Sequence, residues 1–153
     1  MIFETELIAR NKLASHSYQK EGVQWCAGIE ASGVSFNDQR LHSGIIADEM
    51  GLGKTIQMLG LIVERISKVR STIIVVPKAV LPQWRDSLRD LLGHDPAVVG
   101  KDNAVAEHSP IVLITYSRLA HQMKRKHSQI AMASWGRAIF DEAHHLRNSK
   151  TQA

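Results

Sequence analysis

The sequence predicts an α/β domain built on a parallel sheet covered by helices. Three observations carry that reading: four short continuous apolar runs, amphipathic helical stretches between them, and polar or turn-forming residues directly after the runs. Strands buried on both faces read as unbroken hydrophobic runs rather than alternating ones. Strand alternating with helix is the pattern of a parallel sheet. The 153 residues, 44% hydrophobic and 22% charged, suffice for one domain with a core and are too apolar for disorder.

The elements follow in order. An opening helix is expected over Gln19 to about Ala31, with Val23, Cys26 and Ala27 inward. The first apolar run is Ser43–Ala47, a buried strand leading into Asp48–Thr55. After Gly53, Ile56, Leu59, Ile62 or Val63, and Ile66 mark one helical face at 3.6-residue spacing. Thr72–Val76 is the second strand and ends at Pro77. The helix beyond it has Leu81, Trp84, Leu88 and Leu91 on its apolar face, Pro82 in its first turn and Gly93 as its cap. Ala97–Val99 is a weaker strand candidate, and Ile111–Thr115 and Ala138–Phe140 complete the set. Ligands of such sheets collect at the carboxyl ends of the strands, where Asp48, Pro77, Tyr116 and Asp141 are expected. Core packing explains the helical or pre-strand positions of Trp25, Trp84 and Trp135.

Composition narrows the function classes. A net charge of +4 with 8 histidines permits an anionic partner without identifying one. The single cysteine, Cys26, excludes an internal disulfide and a cysteine-based zinc site, which fits a reducing compartment. No apolar run approaches the roughly 18 residues of a membrane span, and no signal pattern opens the chain. One soluble intracellular domain is expected, without membrane or zinc.

Two segments carry chemistry. Gly53-Lys54-Thr55 follows a strand and opens a helix, the context of a phosphate loop. Backbone N–H groups of Gly51 to Thr55 could surround phosphates at the helix N-terminus. Lys54 would reach the β and γ phosphates and the Thr55 hydroxyl would sit on magnesium. The position of the pattern's first glycine holds Asp48, and a capping glycine beside an exposed lysine is the bland alternative. The second segment is Asp141-Glu142-Ala143-His144, after the Ala138–Phe140 run. There Asp141 could hold magnesium through its water shell while Glu142 acts as general base. An acidic helix N-terminus is the alternative reading, and each segment strengthens the other. Lys124 to His127 reads as a solvated basic face. His144 and His145 have no partner spacing that would make them metal ligands.

"GIIADEMGLGKTIQMLGLI", "IIVVPKAVLPQW", "IVLITYSRL" and "WGRAIFDEAHHLRNSKTQ", in that order, closely resemble the SWI/SNF-type ATPases. These are superfamily-two helicase-like translocases on double-stranded DNA, used in chromatin remodelling and DNA repair. The resemblance covers nearly all of the chain from Tyr18 and implies a RecA-like phosphate-loop domain, the first lobe of such an enzyme. In the family Asp is the usual residue at the place of Asp48. The resemblance implies ATP and Mg2+ as cofactors, with Asp48, Glu49, Met50, Gly51, Leu52, Gly53, Lys54 and Thr55 around the nucleotide. Lys54, Asp141 and Glu142 are the implied catalytic residues, with Thr55 and Asp141 toward the metal. "YQKEGVQW" resembles the adenine-contacting segment, so Gln19 is expected at the base edge. Pro77, Lys78, Thr115, Tyr116 and Ser117 match segments that track a DNA strand, and His144 is expected to couple the nucleotide site to its neighbours. "DEAHHLRN" resembles the DNA-repair and transcription-termination branches more than the nucleosome-sliding ones.

The resemblance also sets expectations about the rest of the enzyme. Residues 1–16 read as a lead-in and 17–153 as part of a helicase ATP-binding domain. In the family a Thr-Gly-Thr-Pro-like strand and a second lobe with arginine fingers come after the acidic motif. That strand lies between the phosphate-loop strand and the acidic strand, so a gap in the sheet is expected without it. The expected function is the ATP-binding portion of a DNA-dependent ATPase, inactive by itself, acting on double-stranded DNA with chromatin or repair proteins in the nucleus. The alternatives are a non-catalytic product that binds nucleotide, DNA or a partner, and an unrelated phosphate-loop enzyme such as a small kinase.

Overall fold

The computed structural model describes residues 1–100 and 109–150. The chain divides into two compact units, Met1–Lys68 and Val69–Ala153.

The first unit packs helices against each other. A π-helical segment, Phe3–Ala9, precedes α1 (Ser17–Ser32). A two-stranded hairpin, β1 (Val34–Phe36) and β2 (Gln39–Leu41), and then α2 (Lys54–Glu64) follow. The core is Phe3, Leu7, Ile8, Val23, Ile29, Leu59, Leu61, Ile62 and Val63, all buried. Val23, Leu59, Ile62 and Val63 were expected inward. Ile66 lies beyond the end of α2 and is exposed, so the apolar face is a turn shorter than its spacing implies. The hairpin was not foreseen. It turns on Asn37 and Asp38, both left-handed at φ 48° and 61°, the geometry that Asn and Asp tolerate in a two-residue turn.

One expected strand is absent. Ser43–Ala47 pairs with none of the described strands, and Ile45 is 82% exposed. An apolar β-branched run becomes a strand only where a neighbour offers N–H and C=O groups in register, and none of the described strands does so here. Trp25 also departs from expectation: it is 48% exposed, its ring lying over Gly44, where a Cβ would come within 2.6 Å of it.

The second unit carries the parallel sheet, in the order β4-β5-β3-β6. The strands are β3 (Thr72–Val76), β4 (Ala97–Val98), β5 (Ile111–Thr115) and β6 (Arg137–Phe140). Helix α3 (Leu81–Leu92) follows β3, and α4 (Tyr116–Met123) and α5 (Gln129–Met132) follow β5. Every residue of β3 is buried, as its continuous apolar run requires. β6 instead alternates, with Phe140 41% exposed, because it pairs with β3 alone among the described strands. Alternate residues face opposite sides. Ile73, Val75, Val112 and Ile114 form one core with Ile130 of α5 and Leu119 of α4. Ile74 and Leu113 point to the other side, where α3 buries Trp84 and Leu88. Gly93 closes α3 at φ 66°, and Pro82 lies in its first turn, both as expected. Among the described residues no helix is long and apolar enough to cross a membrane.

Gly60 limits how closely the first unit's helices approach. A Cβ there would lie 2.5 Å from a Phe3 ring carbon and 2.9 Å from a Val23 methyl. Gly60→Ala should therefore destabilise by about 1–3 kcal/mol through overpacking, although alanine is the better helix former by ~1 kcal/mol. Urea unfolding of the variant measures this, and a midpoint at or above the parent's would show that the pocket yields.

Candidate functional site

Two clusters bring together most of the residues singled out in the sequence. The first surrounds the start of α2. Gly51 and Gly53 adopt left-handed backbone at φ 87° and 77°, which an L side chain would strain. Together they turn the chain so that α2 begins at Lys54 with its free N–H groups at the loop. The Lys54 ammonium folds back and donates to the loop's own carbonyls, to Asp48 O at 2.7 Å and Glu49 O at 3.0 Å. A phosphate could replace those carbonyls as acceptor, and the helix N-terminus favours an anion there. Thr55 is half-buried in the first turn, while Met50 is 89% exposed and Leu52 38%. The donors present thus suit phosphate chemistry.

Two side chains brace this loop. Gln19 is 6% exposed and donates through Nε2 to Leu52 O at 3.1 Å. A Cβ on Gly53 would meet that amide at 2.5 Å, so Gln19 braces the backbone of the loop before α2 directly. Gln57, fully buried in α2, donates from Nε2 to Asp48 Oδ2 at 2.7 Å. Its Oε1 is buried without a partner against the Cα of Gly22. Sequence reasoning missed Gln57, a polar residue among apolar neighbours in α2, although its proximity to the loop in sequence was a usable signal.

The second cluster lies at the carboxyl edge of the parallel sheet. β3 is in register with Thr115 of β5 at Val76 and with Phe140 of β6 at Val75. Pro77, Tyr116 and Asp141 therefore leave the sheet on one side, as expected, together with Lys78, Thr115, Ser117 and Glu142, whereas Asp48, also expected at this edge, follows a run that is no strand of the sheet. Asp141 extends the ladder by one bond, its N–H donating to Val75 O at 2.9 Å. The Tyr116 hydroxyl donates to Asp141 O at 2.7 Å, and the Trp84 indole donates to Asp141 Oδ2 at 2.8 Å. Burial, reinforced by Asp141 and Glu142, pushes the Tyr116 phenol above its usual range, so it remains a donor at neutral pH. Trp84 was expected in the core and is there at 2% exposure. Its bond to the acidic motif has no signal in the sequence.

Glu142 is exposed with φ 52°, a left-handed conformation that is uncommon for a residue with a long side chain. His144 Nδ1 lies 3.2 Å from Glu142 Oε2. The His144 ring stacks on His145 at 4.5 Å, and His145 approaches the Tyr116 ring at 5.5 Å. Among the described residues no three His, Cys, Asp or Glu side chains gather as a protein-only metal cage. Asp141 Oδ1 has no hydrogen-bond donor among the described residues, which suits a cation held through its water shell. Ala143 opens the short 3-10 helix that carries the histidines. Of the DNA-contact candidates, Lys78 and Ser117 are exposed, and the Thr115 hydroxyl caps α4 by accepting from Arg118 N at 3.3 Å. The Tyr116 hydroxyl points inward.

Comparison with known proteins supplies the family. The SWI2/SNF2 ATPase core of Sulfolobus solfataricus, solved in complex with dsDNA, superposes with a TM-score of 0.74 at 23% identity. It covers 96% of this chain and 29% of that one, and the likeness establishes the RecA-like α/β fold. An ATP-dependent helicase of Schizosaccharomyces pombe is 32% identical over 89% of the chain, and an ISWI chromatin-remodeling complex ATPase of Saccharomyces cerevisiae 31% over 88%. A chromatin structure-remodeling complex protein of Arabidopsis thaliana is 30% identical over 86%. The chain spans only 15%, 12% and 4% of those relatives. The model of the SNF2-related domain matches residues 18–153, and the chain belongs to that family.

Proposed function

We propose that this chain is the nucleotide-binding part of a DNA-stimulated ATPase that converts ATP and water to ADP and phosphate. The observation that carries the reading is Lys54, which opens α2 behind two left-handed glycines with its ammonium satisfied, among the described residues, by loop carbonyls. On binding, the β and γ phosphates take the place of those carbonyls, and the amides from Gly51 to Thr55 surround them. Gln19 and Gln57 hold the loop in shape, with Gln19 also near the base. Magnesium would neutralise phosphate charge; the Thr55 hydroxyl at the loop and, through water, the Asp141 carboxylate at the sheet edge are each suited to hold such a cation. Glu142 accepts the proton of the attacking water, its carboxylate oriented by His144. Lys78, Pro77, Thr115 and Ser117 present the DNA-facing edge. The core solved with dsDNA and the two chromatin-remodeling relatives support double-stranded DNA and chromatin as partners of the whole enzyme, while repair proteins and the nucleus rest on the family resemblance.

Lys54→Ala should abolish binding of a fluorescent ATP analogue while leaving the far-ultraviolet circular dichroism unchanged, since Lys54 is the first residue of α2 and its side chain turns to the loop rather than the core. Equal affinity in variant and parent would sink the phosphate-loop assignment.

Glu142→Gln keeps shape and loses basicity. In an enzyme that joins this chain to a second lobe, the substitution should preserve ATP binding and lower turnover by about 10²–10⁴-fold. Turnover near the parent rate would remove Glu142 from the role of base.

Residues 1–153 alone should release phosphate no faster than the Lys54→Ala variant, with or without DNA. An arginine finger is worth about 10³–10⁵ in rate in related phosphoryl transfers, and the resemblance assigns those arginines to a second lobe. A phosphate-release assay in which DNA raises the rate well above the variant's would make the chain a self-sufficient ATPase.

A further inference from the structure

We propose that Trp84 and Tyr116 are positioning residues for Asp141, fixing its carboxylate so that Oδ1 is the oxygen presented to a divalent cation. This rests on the reading above that Asp141 faces the metal.

The geometry is specific. Asp141 is held at three separate atoms: its N–H by Val75 O, its carbonyl by the Tyr116 hydroxyl, and Oδ2 by the Trp84 indole. The first two bonds fix the backbone. Asp141 follows Ile139 by two residues, so side-chain alternation carries it to the face shared with Ile74. Trp84 of α3 also lies on that side. With the backbone fixed, the remaining freedom of the carboxylate is rotation about two side-chain bonds, and the indole removes it by engaging one oxygen. Trp84 is 2% exposed, so its N–H cannot turn to water instead. A core position needing only bulk would be filled equally well by phenylalanine or leucine. The indole adds a donor, and it is directed at the motif's acid.

Outer-shell partners of this kind orient a ligand, and losing one typically lowers metal affinity about 10–100-fold. The probe is Mn2+ with ADP on the 153-residue chain, with free Mn2+ followed by electron paramagnetic resonance. Trp84→Phe and Tyr116→Phe should each weaken Mn2+ binding about ten-fold while leaving metal-free ADP affinity unchanged. A merely structural role would move both affinities together, and that outcome would overturn the proposal. Asp141→Ala separates the two levels of the argument. If Asp141→Ala weakens Mn2+ binding and the two phenylalanine variants do not, positioning by Trp84 and Tyr116 is wrong and the metal reading stands. If Asp141→Ala has no effect, the metal reading itself fails and the proposal with it. Should Trp84→Phe not fold, the parent chain still decides. Mn2+ with ADP should broaden the Trp84 indole N–H resonance, identified by elimination using Trp25→Phe and Trp135→Phe. An unbroadened Trp84 resonance at saturating Mn2+ would refute the placement.

Discussion

The carboxyl edge of the sheet depends on one constraint, the parallel pairing of β3 with β5 on one side and β6 on the other. Parallel strands bring equivalent ends together, and the register sets Val76 beside Thr115 and Val75 beside Phe140. A slip of one residue would turn every side chain to the opposite face. It would bury Phe140 where Ile139 now lies and carry Asp141 away from Trp84. What resists the slip is the completely buried β3, whose Ile73 and Val75 fill one core while Ile74 and Val76 serve the other face. The apolar strand thus fixes a polar edge to which it contributes no side chain of its own.

The candidate phosphate loop is governed by backbone geometry instead. Asp48 occupies the position of the first glycine in the general pattern, yet it is not among the residues with positive φ, whereas Gly51 and Gly53 are. Glycine is required only where φ is left-handed, so an aspartate at the loop entrance costs no strain. Its carboxylate is then put to use by Gln57. The two glycines that remain are the two that the turn into α2 needs.

Much of this was legible in the sequence, and the failures have physical causes. The helices after Gly53 and Pro77, the Pro82 start and Gly93 cap of the latter, and the strands at 72–76 and 111–115 follow from local apolar patterns and turn chemistry, which a sequence states directly. Ser43–Ala47 has the composition of a strand, but strandedness belongs to a pair of segments, and no described segment supplies the other half. Trp25 has the size of a core residue and the position of a surface one. The hairpin at residues 34–41 was overlooked because its three-residue arms are too short to show alternation, although Asn37-Asp38 marked its turn. At the site, residue types that carry charge or a phosphate-loop pattern were found. Their uncharged partners were not.

Those partners share a feature. Gln57 and Trp84 both sit on helix faces that are otherwise apolar, both are almost wholly buried, and each donates one N–H to an aspartate of a motif. Burying an unpaired amide or indole N–H costs about 1–3 kcal/mol, so neither residue is explained by packing alone. The bond must be made, and a buried donor with one available acceptor is rigid in a way that a solvated lysine is not. Both aspartates are thereby aimed by neutral groups that leave their charge intact, which matters for carboxylates that would face a cation or border a phosphate site. A cationic partner would have neutralised them. In this fold the apolar helix faces therefore do more than close the core, because at one position each they carry the orientation of an acid at the candidate site.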